Sequence, residues 1–207
     1  DGDRVTIIDD KGNVLCGEQI IYIFAKYYLS EKKIKKGSVI VTNEIANYGL
    51  DKSLNKIGLK LKRVKVGDKN ILKEMLDNKF FFGGEPSGHF IFKDDILIGD
   101  GMATAIRLLT LIVKEKKKLS TLKKGIDLLE EINVNQKIDR EKFYLSQEGI
   151  YKKLNKLFKN LDIYYNIRPS GTEPLLRVNL QYHKRNIKVS TLDNLKTKIK
   201  KVISDAC

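Results

Sequence analysis

The chain has 207 residues, 42% of them hydrophobic, and 40 Lys and Arg against 26 Asp and Glu give it a formal net charge of +14. That is enough length for one large or two small domains and enough apolar content for ordinary cores, which excludes a disordered chain. The longest apolar run, 106–113, falls short of the ~20 residues that span a bilayer and contains Arg107 and Thr110, so no membrane association is expected.

The positive charge raises the possibility of a nucleic-acid-binding module. Only seven of the 40 basic residues are arginine, however, and the lysines spread along helix faces, as in Lys114-Glu115-Lys116-Lys117-Lys118. Readers of phosphates and bases cluster Arg forks and stacked aromatics, so no nucleic-acid partner is expected and a basic nucleic-acid-binding module stays as the alternative, while a positive field still attracts small anions. Cys16 and Cys207 are too few and too far apart for a disulfide framework or a metal cluster, and no signal peptide opens the sequence, so a reducing, cytoplasmic setting is expected.

In chain order, Asp1-Gly2-Asp3-Arg4 precedes a β-branched run at 5–8, and 9–13 is a hairpin turn returning through Val14-Leu15. Asp1 and Asp3, flanking a glycine at a strand edge, can converge on a hard cation such as Mg²⁺; a metal-free Asp-Gly turn is the alternative. A helix is predicted over 18–29, a strand over 38–42, a helix over 44–57, a strand over 59–64 and a helix from Gly67 to about 76. This alternation implies a mainly parallel sheet, whose ligands gather at the carboxyl ends of the strands. Gly67-Asp68-Lys69 stands at one such exit, with Lys69 either facing a ligand or lying exposed in a first helical turn.

A second exit carries Gly83-Gly84-Glu85-Pro86-Ser87-Gly88-His89, between Phe80-Phe81-Phe82 and Phe90-Ile91-Phe92. Glycine and proline let such a loop present several side chains to one point, making Glu85 and Ser87 a hydroxyl-binding pair and His89 a candidate proton carrier. The alternative is a tight turn with its polar groups in water. Asp100 is placed to cap a helix over 102–117, and Ser120 to cap another reaching 129. From about 131 the order becomes strand (132–138), helix (148–160), strand (163–167), strand (175–181) and helix (191–204). Between the last two strands lies Arg168-Pro169-Ser170-Gly171-Thr172-Glu173-Pro174, where Arg168, Ser170, Gly171 and Thr172, with Arg177 beyond, form a phosphate cradle. A turn whose Ser and Thr bond their own backbone is the alternative. The fold class expected is a three-layer α/β domain with a mixed sheet, followed by a small α+β domain with helices on one face of an antiparallel sheet.

Together, Asp1-Gly2-Asp3-Arg4, Gly84-Glu85-Pro86-Ser87-Gly88-His89 and Arg168-Pro169-Ser170-Gly171-Thr172-Glu173-Pro174 resemble, in order and spacing, the metal, sugar and phosphate loops of the α-D-phosphohexomutases. Val66-Gly67-Asp68-Lys69 and the phosphate loop are most similar to the phosphoglucosamine mutase branch, with phosphomannomutase or phosphoglucomutase as the alternative. The resemblance implies four domains around a cleft, a phosphoserine in the first, and Mg²⁺ held by three aspartates, of which Asp1 and Asp3 match two. It implies that 1–15 end the second domain, 16–130 form the third and 131–207 the fourth, with the phosphoserine loop absent and the chain inactive alone. The intact enzyme would interconvert glucosamine 6-phosphate and glucosamine 1-phosphate through a bisphosphate intermediate, for cell-wall precursors, and a homodimer is compatible with it. By the same resemblance, Arg4 stabilises charge beside the metal, Glu85, Ser87, His89 and Lys69 meet the sugar, and Arg168, Ser170, Gly171, Thr172 and Arg177 meet its phosphate.

Overall fold

Apolar side chains alternate along the short strands of the first 128 residues and recur at helical spacing between them, and this pattern builds the first of two compact units. The computed structural model describes residues 2–94, 97–185, 187 and 189–207. The first unit is Asp1–Leu128 and the second Leu129–Cys207.

In the first unit, β1 (Ile7–Ile8) and β2 (Val14–Leu15) form a small antiparallel hairpin. There follow α1 (Gly17–Ser30), β3 (Val39–Asn43), α2 (Gly49–Lys56), β4 (Lys60–Val64), α3 (Asp68–Asn78), β5 (Phe82–Gly84), β6 (Phe90–Phe92), α4 (Gly101–Glu115) and α5 (Leu119–Leu122). The sheet order is β4-β3-β5-β6, with β4 and β5 parallel to β3 and β6 antiparallel to β5. Successive strand residues face opposite sides. Ile40, Phe82, Phe90 and Phe92 pack against α1, α2, α4 and α5, whereas Val41 and Ile91 pack under Ile71 and Met75 of α3. Three layers result. Gly83 permits the α3 layer to come close: a Cβ there would lie 2.6 Å from Ile71 and 2.9 Å from Met75.

The second unit contains β7 (Glu130–Lys137), α6 (Arg140–Phe158), β8 (Ile163–Pro169), β9 (Leu175–Tyr182) and α7 (Val189–Ser204). Its sheet is antiparallel throughout, in the order β7-β9-β8. Leu176, Val178 and Leu180 alternate onto one core with Phe143, Ile150, Leu154 and Phe158 of α6 and Leu195, Ile199 and Ile203 of α7. Both helices therefore cover one face, leaving the face of Arg168, Arg177 and Asn179 to polar residues. Mixed α/β followed by α+β is the expected architecture.

Several boundaries differ from the sequence expectation. Helix α2 begins at Gly49 rather than near 44, because 44–48 turn around Arg63, which donates to the Ala46 carbonyl at 2.7 Å and to that of Asn47 at 3.3 Å. Helix α6 begins eight residues early, at Arg140, capped by Asp139, whose carboxylate accepts the Lys142 N–H at 3.1 Å. Ser120 does not cap a helix reaching 129. It lies inside the single turn α5 and is itself held by Asp10, whose carboxylate accepts its N–H at 2.8 Å and its hydroxyl at 2.9 Å. Asp100 does cap α4, accepting the Ala103 N–H at 2.9 Å. Among the described residues no helix is long and apolar enough to cross a membrane.

Candidate functional site

The parallel strands β3, β4 and β5 all end at one edge of their sheet, and Glu85 stands where they converge. It is the first residue of the five-residue loop closing the β5–β6 hairpin, where its N–H donates to the His89 carbonyl at 2.8 Å. Its side chain is only 6% exposed. Burying a carboxylate is costly without donors, and here three are supplied. Oε1 accepts from Asn43 Nδ2 at the end of β3 (3.0 Å) and from the Gly67 N–H beyond β4 (3.4 Å), while Oε2 accepts from the Ser87 hydroxyl (3.1 Å). Thr42, beside Asn43, donates its hydroxyl to the Gly84 carbonyl at 2.8 Å. The structure thus brings Glu85, Ser87 and Gly67 together, whereas Lys69 lies exposed in the first turn of α3.

Glycine allows the rest of the site to close on this loop. The Gly17 N–H at the start of α1 donates to the Pro86 carbonyl at 3.2 Å, and a Cβ on Gly17 would stand 2.2 Å from the Glu85 carbonyl oxygen. The N-terminal segment docks from the other side. The Val5 N–H donates to the Gly88 carbonyl at 3.1 Å, and the Gly101 N–H at the start of α4 donates to that of Gly2 at 2.8 Å.

That docking sets Asp3 against His89. Oδ2 of Asp3 is 3.2 Å from Nδ1 of His89 and 3.9 Å from Nε of Arg4, whose side chain is largely exposed. Partial burial pushes the Asp3 carboxyl up, but the His89 hydrogen bond, its own backbone N–H and the neighbouring positive charges outweigh this and hold it below the usual range. His89 is buried, and among the described residues its Nε2 has no hydrogen-bond partner. A Cβ on Gly99 would fall 2.1 Å from that nitrogen, so backbone closes over it. The ring orients Asp3 and has little room to meet a ligand. Asp1 lies outside the described residues, and among those described no three His, Cys, Asp or Glu side chains gather as a metal cluster.

In the second unit, Arg168 on β8 lies directly opposite Arg177 on β9. Their side chains therefore leave the same face of the sheet, opposite the apolar core. Arg177 is ion-paired with Glu173, and its buried Nε has no hydrogen-bond partner among the described residues. Ser170 is buried and its hydroxyl accepts the Glu173 N–H at 3.3 Å, the self-bonded turn that was the alternative reading of this residue. Gly171 and Thr172 are exposed. Arg140, which the sequence did not single out, donates to the carbonyls of Gly171 (3.4 Å) and Glu173 (3.2 Å) and braces the loop from α6.

Comparison with known proteins adds to this geometry. Residues 16–127 match the family described as phosphoglucomutase/phosphomannomutase, alpha/beta/alpha domain III. The chain is 39% identical over 195 residues to the phosphoglucosamine mutase of Ruminiclostridium cellulolyticum, covering 90% of this chain and 42% of that protein. It is 40% identical over 185 residues to that of Clostridium botulinum strain Hall, covering 87% and 41%. The chain therefore spans less than half the length of these curated relatives. Among solved structures, a phosphoglucomutase/phosphomannomutase family protein of Burkholderia thailandensis superposes with a TM-score of 0.76 at 19% identity, covering 100% of this chain and 45% of that one. The N-acetylphosphoglucosamine mutase of Aspergillus fumigatus, solved with GlcNAc-6P and magnesium, gives 0.77 at 17% identity, covering 98% and 50%. At such identities the likeness shows the fold.

Proposed function

Because the chain belongs to the phosphoglucomutase/phosphomannomutase family, we propose that it is the sugar- and phosphate-binding portion of a phosphoglucosamine mutase. The observation that carries this reading is Glu85, buried at the carboxyl ends of three parallel strands and fixed by Asn43, Gly67 and Ser87. A carboxylate so fixed accepts sugar hydroxyls without reorganising, and Ser87 adds a second polar contact. Residues 1–15 then end the second domain, 16–130 are the third and 131–207 the fourth.

Arg168 and Arg177 grip the phosphate that is not reacting, with the 170–172 turn beside them. A handle that recognises phosphate rather than a ring position lets either end of the sugar face the reacting centre. The magnesium held by a structural relative fits Asp3 as one ligand, since a ligating carboxylate is ordinarily steadied by a hydrogen bond and His89 provides it. Asp1 would join Asp3, and the ion, when bound, offsets charge at the transferring phosphoryl group. Arg4 bears on the same charge, and His89 acts by holding Asp3. On this reading the mutase reaction also needs a phosphoserine that is expected beyond residues 1–207, so these residues bind phosphosugar without transferring phosphate.

Titrating residues 1–207 calorimetrically with glucosamine 6-phosphate and mannose 6-phosphate tests the proposal. Preference for the amino sugar, lost in Arg168→Ala, is expected. Equal affinities would move the assignment to a broader hexose mutase. Binding undiminished by Arg168→Ala would refute the phosphate site, and no binding of either sugar would refute the claim that these residues carry the site.

A further inference from the structure

The sheet edge opposite Glu85, where β3 and β5 begin, holds a cavity of about 410 Å³. Lys32, Lys33, Lys35, Lys79 and Lys93 line it together with Phe80 and Phe81. Lys33 is engaged by Asp94 at 2.8 Å and lies over the rings of Tyr28 and Phe81. Among the described residues, no carboxylate pairs with the ammonium groups of Lys32, Lys35, Lys79 or Lys93. These four lysines are exposed to solvent, and their combined field draws an anion towards the cavity.

The backbone explains how two of these lysines reach the cavity. Of the three non-glycine residues with positive φ among the described residues, two line this cavity: Lys32 (φ 58°) and Lys79 (φ 57°), the latter at the C-terminal cap of α3. Such positions favour glycine, and a lysine there is the more strained choice. Lys32 follows the C-cap of α1 and Lys116 caps α4 in the same conformation, so helix ends set these backbones, and at two of them the turn also brings an ammonium group onto the cavity.

We propose that this groove binds a nucleoside diphosphate, its phosphates on Lys32, Lys35, Lys79 and Lys93 and its base against Phe80 and Phe81. The volume suits a ligand of that size, the lysines match its charge, and Phe80, half-buried on the cavity wall, offers an aromatic surface to a base, with the Lys33-covered ring of Phe81 beside it. The site lies across the sheet from the phosphosugar loop and does not depend on the mutase reading.

ADP and inorganic pyrophosphate serve as probes in calorimetric titrations of residues 1–207. ADP is expected to bind one to one, at least threefold more tightly than pyrophosphate. Lys32→Gly/Lys79→Gly should weaken ADP about tenfold while the melting temperature holds or rises, because glycine relieves the strained backbone. Arg168→Ala should leave ADP binding unchanged, which separates this site from the phosphate loop. Full affinity in the double variant, or loss in Arg168→Ala, would overturn the assignment. Equal affinity for pyrophosphate would overturn the nucleoside component. Binding of single-stranded DNA in preference to ADP would make the groove part of a nucleic-acid surface and overturn it as a nucleotide site.

Discussion

Replacing Gly17 by alanine puts a methyl group into the backbone of the sugar loop. Its Cβ would lie 2.2 Å from the Glu85 oxygen, 2.6 Å from Pro86 Cα and 2.8 Å from Pro86 C, where ordinary contact begins at 3.4 Å. Relief therefore requires loop and helix to part by about 1.2 Å, the difference between 3.4 and 2.2 Å, which also breaks the hydrogen bond from Gly17 to Pro86. Overpacking of this kind costs about 1–3 kcal/mol, with direct backbone collisions at the upper end, and alanine's helix propensity returns at most about 1 kcal/mol. A net loss of about 2 kcal/mol follows, roughly 5–10 °C in melting temperature for a unit of this size. The same substitution at Gly149, exposed within α6 with nothing within 4 Å of its Cβ position, should stabilise by up to about 1 kcal/mol. Thermal and urea unfolding of both variants read the two signs. If Gly17→Ala were as stable as the parent with unchanged amide shifts at 85–89, the close approach would not be what constrains the loop.

Other outcomes follow from the same structure. Asp9 accepts from Lys123 Nζ at 2.7 Å and from the N–H groups of Asn13 and Lys11, which hold its carboxyl well below the usual range. Its folded pKa is depressed, so its contribution is present above about pH 4 and is lost as pH falls below that. The stability gap between the parent and Lys123→Ala should be widest above pH 4 and close towards pH 2; a constant gap would sink the idea. Burial, with Glu18 nearby, pushes the Cys16 thiol up to about 12. At pH 8, alkylation of native Cys16 should run about three orders of magnitude slower than that of an ordinary thiol near 8.5, and labelling at the ordinary rate would contradict this. Phe143 is wholly buried between α6 and β7–β9, and Phe143→Ala should cost about 3–5 kcal/mol by chemical denaturation, with a loss under 1 kcal/mol counting against the packing described.

Much of the site was legible because its polar residues lie close together in sequence. Glu85, Ser87 and His89 fall within five positions, and the hairpin that presents them is announced by phenylalanines on both sides. Asn43 was not legible: it ends a buried strand, and nothing local shows that β3 stops beside β5. The glycines at 17, 99 and 101 were equally silent, since each is explained by a residue distant in sequence. The early start of α6 could have been found, because Asp139 is a good cap and Phe143, Ile150, Leu154 and Phe158 follow one helical face. Ser120 misled because a hydroxyl before a polar run suggests a cap, whereas its carboxylate partner lies 110 residues back.

That distance bears on how the chain is made. The β1–β2 turn is fastened by two pairs, Asp10 to Ser120 and Asp9 to Lys123, separated by 110 and 114 residues. At synthesis rates of about 5–20 residues per second, the opening segment waits roughly 5–20 s for these partners to be made. Closing so long a loop comes late and slowly. The sheet and its helices can assemble first, and the segment that brings Asp3 to His89 is secured afterwards. A chain that had emerged only as far as residue 100 would hold the sugar loop with Val5 already bonded to Gly88, but neither Ser120 nor Lys123 to fasten the β1–β2 turn.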